Sequence, residues 1–421
     1  MKKPSVLRAH RPVLLLFFAA VILRLLCAVL VLYVIIPKGI FPSYYFGDST
    51  EYQKGAFELL KNGIFSVLPD ASSGHIWYMR IAAFFYSVFG PRLIVMMCVN
   101  AFLSSVVVFL IYKMGLLLFN KKIAFGAALV YTAYPSMIFF GCMDIRDPWI
   151  AFFSLLACTS VLAILNGKKN FLWVPVFFAA LFAASLLRPQ TALFFLAAIV
   201  LSLAGLLAFK NFRPVAGMSV LIIASGLVYK LTNLSFVAAG TSETPTVHAV
   251  AVPEKSSTAF HFLARVVDFR YNFLYSNATT SIPPSTLLFP DWRFHSVFGL
   301  MLMELKLVLY VLFMPLPFIY PEGGRIARLL QGVENTAFLT LFALFVYGLY
   351  RAVKTGAIRA SGLFIFIYIA VFIGIWSFFC PDLGSATRYK LQYIPLMLPF
   401  MASGWDIIFD VFRRRAAGVK P

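Results

Sequence analysis

Long apolar runs, each about the length of a membrane-spanning helix, recur from one end of the chain to the other. They predict spans at about 12–37, 92–118, 123–140, 148–165, 171–187, 191–209, 214–231, 333–350, 362–379 and 391–410. Basic segments punctuate alternate ends: MKKPSVLRAHR at the start, NKK (120–122), NGKKN (166–170), KNFR (210–213), RAVKTGAIRA (351–360) and FRRR (412–415). Lys and Arg hold short loops in the cytoplasm, so these ends are expected inside. The other ends then face outward and carry two long loops, 38–91 and 232–296. The first run is too long for a signal peptide and no A-x-A site follows it, so it reads as a retained span.

Two stretches break the pattern. HIWYMRIAAFFYSVFG (75–90) is short for a span and carries Arg80, so it is expected at the bilayer interface. Residues 297–320 carry Glu304 and Lys306 and break at MPLP (314–317). A full crossing there would put the later basic loops outside, so the stretch is expected to be re-entrant or interfacial. The expected fold is all-α: one polytopic transmembrane helix bundle of about 10–12 spans over 1–421, with interfacial helices in the outer loops.

Composition supports this class. Of 421 residues, 61% are hydrophobic and 12% charged, too little polar surface for a water-soluble domain. The net charge of +20 is mostly the inward basic loops, and its scatter among spans argues against nucleic acid. Cys27, Cys98, Cys142, Cys158 and Cys380 show no CxxC spacing, so neither a disulfide frame nor a zinc site is implied. No HExxH, P-loop, GxGxxG, SxxK or GxSxG motif occurs.

This sidedness collects Asp48, Glu51, His75, Arg80, Asp144, Arg146, Asp147, Arg188, Asp382, Arg388 and Lys390 near the outer ends of spans. Ionisable groups at such depth default to a functional reading. Within FGDSTEYQKGAFELLKNG (46–63), Tyr52, Ala56, Leu59 and Leu60 share one helix face, and Asn62-Gly63 supplies a stop. An amphipathic helix over about 49–62 follows, with Asp48 and Glu51 placed as in a capping box. Asp48 reads either as a cap or as a rigidly held base. In GCMDIRDPW, Asp147 stands before Pro148, where capping is the bland reading. Arg188 and Arg388 read either as anchors at lipid headgroups or as phosphate clamps, since a guanidinium fork grips phosphate bidentately.

The run D-S-T-E-Y (48–52) with its helix, then HIWYMRIAAFFYSVFG and AALVYTAYPSMIFFGCMDIRDPWIAFF (127–153), resembles the first half of the GT-C superfamily membrane glycosyltransferases. Among these, the chain is similar to the aminoarabinose transferase and protein O-mannosyltransferase group. SATRYKLQYIPLMLPF (385–400) looks like the R-Y-x-x-P pattern of related envelope enzymes. Ser49 stands where the family has Glu, and Ser73-Gly74-His75 where it has K-P-P. The resemblance implies sugar transfer from a polyprenyl-phosphate donor to a lipid-linked or other envelope glycan. The place would be the periplasmic face of a bacterial inner membrane, among membrane lipids. It also implies Asp48 as catalytic base with inversion, and a second acid at Asp147 or Asp144. Glu51, Tyr52, His75, Arg80, Arg146, Arg188, Arg388, Tyr389 and Lys390 become substrate-binding candidates. No cofactor is required by the pattern; a divalent cation on Asp48, His75 and Asp147 is left open. Alternatives are a glycan polymerase or ligase, or a lipid-linked sugar transporter. The last would place polar groups along the spans rather than at one face.

Overall fold

The computed structural model describes residues 6–39, 47–68, 73–167, 170–208, 214–238, 297–313, 325–354, 360–380 and 383–416. Fourteen α-helices account for the regular structure of these residues, with no strand among them. They are α1 (Val6–Leu30), α2 (Gly47–Asn62), α3 (Ser73–Phe89), α4 (Leu93–Leu118), α5 (Lys121–Ala133), α6 (Pro135–Cys142) and α7 (Asp147–Leu165). Then follow α8 (Asn170–Leu187), α9 (Gln190–Ala208), α10 (Val215–Ala238), α11 (Val297–Phe313), α12 (Arg325–Lys354), α13 (Ala360–Phe379) and α14 (Leu383–Ala416). A π-helical turn, Val31–Ile35, extends α1.

The chain is a multi-pass membrane protein. Seven described helices are long and apolar enough to cross a bilayer, or eight if α5 and α6 form one bent span. The seven include α1 with its π turn, α4, α7, α9, α10, α12 and α13. The expected number was higher because the expected 123–140 span is broken into α5 and α6, α8 is short and α14 is partly polar. Residues 297–313 form one helix, α11, and the MPLP break lies outside the described residues. So do Asp382 and most of the 232–296 loop.

α4 lies at the centre, packed by α1, α5, α6 and α7, while α7 rests on α8, and α14 on α12, α5 and α7. In lipid, helices associate through close packing rather than hydrophobic burial, and small residues permit it. α12 and α14 meet at Gly348 and Gly404, where a Cβ on either would strike the other helix's backbone. Proline sets a sharp bend between α5 and α6. Pro135 forces Tyr134 into an extended conformation and starts α6 at 60° to α5. α6 is thereby steered into the 143–146 turn, which delivers Asp144, Arg146 and Asp147 together.

The bend is braced from behind. Arg24, buried in α1, donates to the Ala20 carbonyl at 3.3 Å and lies 4.9 Å over the Tyr131 ring. Ser104 Oγ ties α4 to the Gly141 carbonyl at 2.8 Å, and Tyr131 donates to the Ser104 carbonyl at 2.9 Å.

A candidate active site with two carboxylate–arginine pairs

The helix from the first loop begins two residues earlier than the sequence suggests, at Gly47, and ends at Asn62 before Gly63, whose φ is +103°. Its apolar face is as read: Tyr52, Ala56 and Leu59 are buried, against α3. This leaves Asp48 in the first turn at the open end. Its carboxylate is ion-paired with Arg388, across 340 residues of sequence. The charge of Arg388 outweighs partial burial and holds the Asp48 carboxyl down at about 2; His75 and Arg146 add to the same field.

Arg388 belongs to α14, whose first turns hold 385–390; the sequence had placed these residues in a loop before the last span. Its Nη2 also lies 3.4 Å from Ser385 Oγ. Lys390, two residues on, falls on a different side of the helix. It is buried and bonded to the Asn335 side chain of α12, so it does not join Arg388.

The second pair is Asp147 with Arg188, Nη2 to Oδ1 at 2.9 Å. Arg146 occupies the N-cap position of α7, and Asp147 makes no capping hydrogen bond. Its carboxylate is committed to Arg188 instead. Pro189 ends α8 and leaves Arg188 in the turn before α9. The guanidinium stands 4.9 Å from the Trp376 ring and 5.0 Å from the Tyr389 ring. Tyr389 thus enters the site through Arg188. Arg188 Nη1 is buried without a hydrogen-bond partner among the described residues. A buried, unfilled cationic donor is costly unless a ligand completes it.

Arg146 bridges the two halves. Its Nη1 donates to the Leu187 carbonyl at the end of α8, at 3.0 Å. Gly74 explains the missing prolines: a Cβ there would lie 2.6 Å from both Arg146 Nη1 and the Leu187 oxygen. Only a glycine lets the start of α3 come this close. His75 follows, 3.2 Å from Glu51 Oε1 and edge-on to Tyr52 at 5.1 Å. Burial, then Arg146, lowers the His75 pKa despite Glu51. His75 is therefore neutral near pH 7.

Asp144 is placed differently. It is buried, accepting from Tyr78 at 2.7 Å and Tyr86 at 3.4 Å. Burial pushes its carboxyl up to about 7. Asn100 of α4 donates to the Met143 and Ile145 carbonyls at 2.6 and 3.0 Å and accepts from Trp149 Nε1 at 2.8 Å. Asn100, Tyr78 and Tyr86 thus lock the turn that presents Asp147. None was singled out from the sequence, although an Asn amid the apolar run of α4 was a signal. Arg80 lies apart, 4.8 Å over the Trp77 ring.

The set left open for a cation does not converge. Asp48 goes to Arg388, Asp147 to Arg188 and His75 to Glu51. Among the described residues no three His, Cys, Asp or Glu side chains are grouped to hold a metal ion. Carboxylates and arginines gathered at one end of the bundle supply a proton acceptor, once its cation partner is drawn away, and donors for an anionic leaving group.

No protein-family model matches the chain, and no curated protein does. Solved structures do. The archaeal oligosaccharyltransferase AglB from Archaeoglobus fulgidus, in complex with an inhibitory peptide and a dolichol-phosphate, aligns at 12% identity and a TM-score of 0.52. The alignment covers 99% of this chain and 53% of that one, so this chain spans about half the AglB length. ArnT from Cupriavidus metallidurans, bound to undecaprenyl phosphate, aligns at 12% identity and a TM-score of 0.41, covering 98% and 82%. The chain shares the fold of the aligned half of AglB.

Proposed function

We propose that this protein transfers a sugar from a polyprenyl-phosphate donor to a glycan acceptor, lipid-linked or otherwise part of the envelope, at the outer face of a bacterial inner membrane. The observation that carries the reading is the convergence of two carboxylate–arginine pairs, Asp48–Arg388 and Asp147–Arg188, from distant segments onto one end of a bundle with this fold. The dolichol-phosphate of the AglB structure supports a polyprenyl-phosphate lipid as the donor's carrier.

Asp48 is the base. It takes the acceptor hydroxyl proton as that oxygen forms its bond to the anomeric carbon. The carbon–oxygen bond to phosphate breaks on the opposite side, its electron pair staying with the phosphate, and the anomeric centre inverts. Arg388 and Arg188 stabilise the charge that develops on the leaving phosphate; the unpartnered Nη1 of Arg188 is a donor already in place. Asp147 orients Arg188, and Arg146, His75, Glu51 and Tyr52 shape the acceptor side.

The test is transfer of radiolabelled sugar from polyprenyl-phosphate donors by purified wild type and Asp48→Asn. Transfer by wild type that is lost in a folded variant supports the base assignment; equal transfer by both removes it. The AglB likeness favours one second reading, a ligase that moves an oligosaccharide in one step. A product carrying several sugars after one turnover marks that outcome.

A further inference from the structure

The two arginines are not equally ready for a phosphate. Arg188 holds Asp147 with one nitrogen and keeps another, Nη1, unfilled, so it can receive an anion without releasing its carboxylate. Arg388 spends Nη1 on Asp48 and points Nη2 at Ser385 Oγ. A phosphate gripped through two parallel N–H bonds needs one edge of the guanidinium. At Arg388 an edge that includes Nη1 is occupied by Asp48.

We propose that Arg388 is a shared clamp: in the free protein it locks Asp48, and the phosphate of the bound donor takes Arg388 over and releases the carboxylate to act as base. This rests on the reading of the site as a polyprenyl-phosphate-sugar transferase. Three observations support it. The pair sits at the rim, with the Arg388 side chain 21% exposed and Asp48 40% exposed, so a ligand can reach it. Asp147–Arg188, at 4% and 7%, cannot exchange in this way. And while Arg388 is in place, its charge keeps the Asp48 carboxyl well below the range useful to a proton acceptor. His75 and Arg146 also face Asp48, but neither is its ion-pair partner, so release depends on Arg388.

The consequence is an order of events. An acceptor that arrives first meets a locked carboxylate; the base is freed only when donor phosphate is present. Donor and base are thereby coupled through one side chain, and a productive encounter begins with the lipid.

The experiment is a double-mutant cycle on binding of undecaprenyl phosphate, without sugar, in detergent micelles. Wild type, Asp48→Asn, Arg388→Gln and the double variant are compared, with folding checked by thermal shift. If the clamp is shared, Asp48→Asn binds about three- to tenfold tighter than wild type, the scale of one ordinary net hydrogen bond. Arg388→Gln binds more weakly, and adding Asp48→Asn to it then changes nothing. An equal gain from Asp48→Asn with and without Arg388 is charge repulsion and overturns the proposal. No gain from Asp48→Asn, with a loss from Arg388→Gln, overturns the shared clamp and leaves the donor reading intact. No binding by wild type overturns both. Arg388→Lys serves if Arg388→Gln does not fold: it retains the charge without the fork, and Asp48→Asn tightens it by less than in wild type if the clamp is shared, but by an equal factor if not.

Discussion

The two carboxylate–arginine pairs lie at one end of the bundle and use the same residue types, yet their surroundings make them different devices. Asp147–Arg188 is enclosed by aromatic rings and is almost wholly removed from solvent. Asp48–Arg388 lies at the rim, between the first turn of α2 and the early turns of α14. A buried pair is strongly destabilised when one partner is removed, because the other charge is stranded. A rim pair holds little stability, because water and ligands can replace either partner. The difference teaches that sequence features of equal appearance, an Asp and an Arg near span ends, divide by burial into a fixed scaffold and an exchangeable contact.

That division can be broken in graded ways. The largest expected effect is on rate: Asp48→Asn lowers transfer by about 10²–10⁴-fold, the usual contribution of a general base, while its melting temperature stays near that of wild type. Asp147→Ala does the reverse to stability. It strands the Arg188 charge and costs about 3–5 kcal/mol, read as a large drop in thermal or denaturant midpoint in detergent. Retained stability in that variant would place the two pairs in one class. Next is Gly74→Ala, which forces a Cβ against Arg146 and the Leu187 carbonyl and is expected to cost about 1–3 kcal/mol. A wild-type midpoint there would show that α3 has room to move.

The pH dependence of stability separates Asp48 from Asp144. Asp48 is depressed from 3.8 to about 2, so its contribution is present above pH 4 and lost only as pH falls toward 2. Asp144 is raised from 3.8 to about 7, so the folded state binds the extra proton and stability falls as pH rises from about 4 through 7. Asp144→Asn is expected to remove that slope, checked by thermal midpoints of both proteins between pH 4.5 and 8. The smallest effect belongs to Glu51→Gln. Glu51 is 53% exposed, so loss of its contact with His75 is expected to cost under about 1 kcal/mol.

Much of the fold was readable from apolar run length, because a segment in lipid must satisfy its own backbone and only a helix does so. Some turn chemistry was equally plain: Pro148 sits at the start of α7 and Gly63 follows the end of α2, whereas the break at Pro135 falls inside a run that reads as one span. The span count was less so, since the 123–140 run is bent into two helices, α8 is short and α14 is partly polar. For the site, the residue types and the end of the bundle were legible, but partners were not. Lys390 and Arg388 both stood as binding candidates, Arg388 ahead; two residues of helical rotation send Lys390 to Asn335 and Arg388 to Asp48. Asp144 and Asp147 both stood as candidates for the second acid, Asp147 ahead; the 143–146 turn buries the first under Tyr78 and Tyr86 and gives the second to Arg188.

Read alone, the chain specifies a helical membrane bundle, its basic ends and a collection of acids and arginines at the other ends. These follow from local rules: hydrophobic length, charge bias, and the backbone limits of proline and glycine. Which acid meets which arginine, how deeply each pair is buried, and therefore which pair is fixed and which can exchange its partner arise only when α2, α7, α8 and α14 are brought together. Pairing across 340 residues has no local signature, because it depends on helix rotation and approach, which packing sets and spacing along the chain does not.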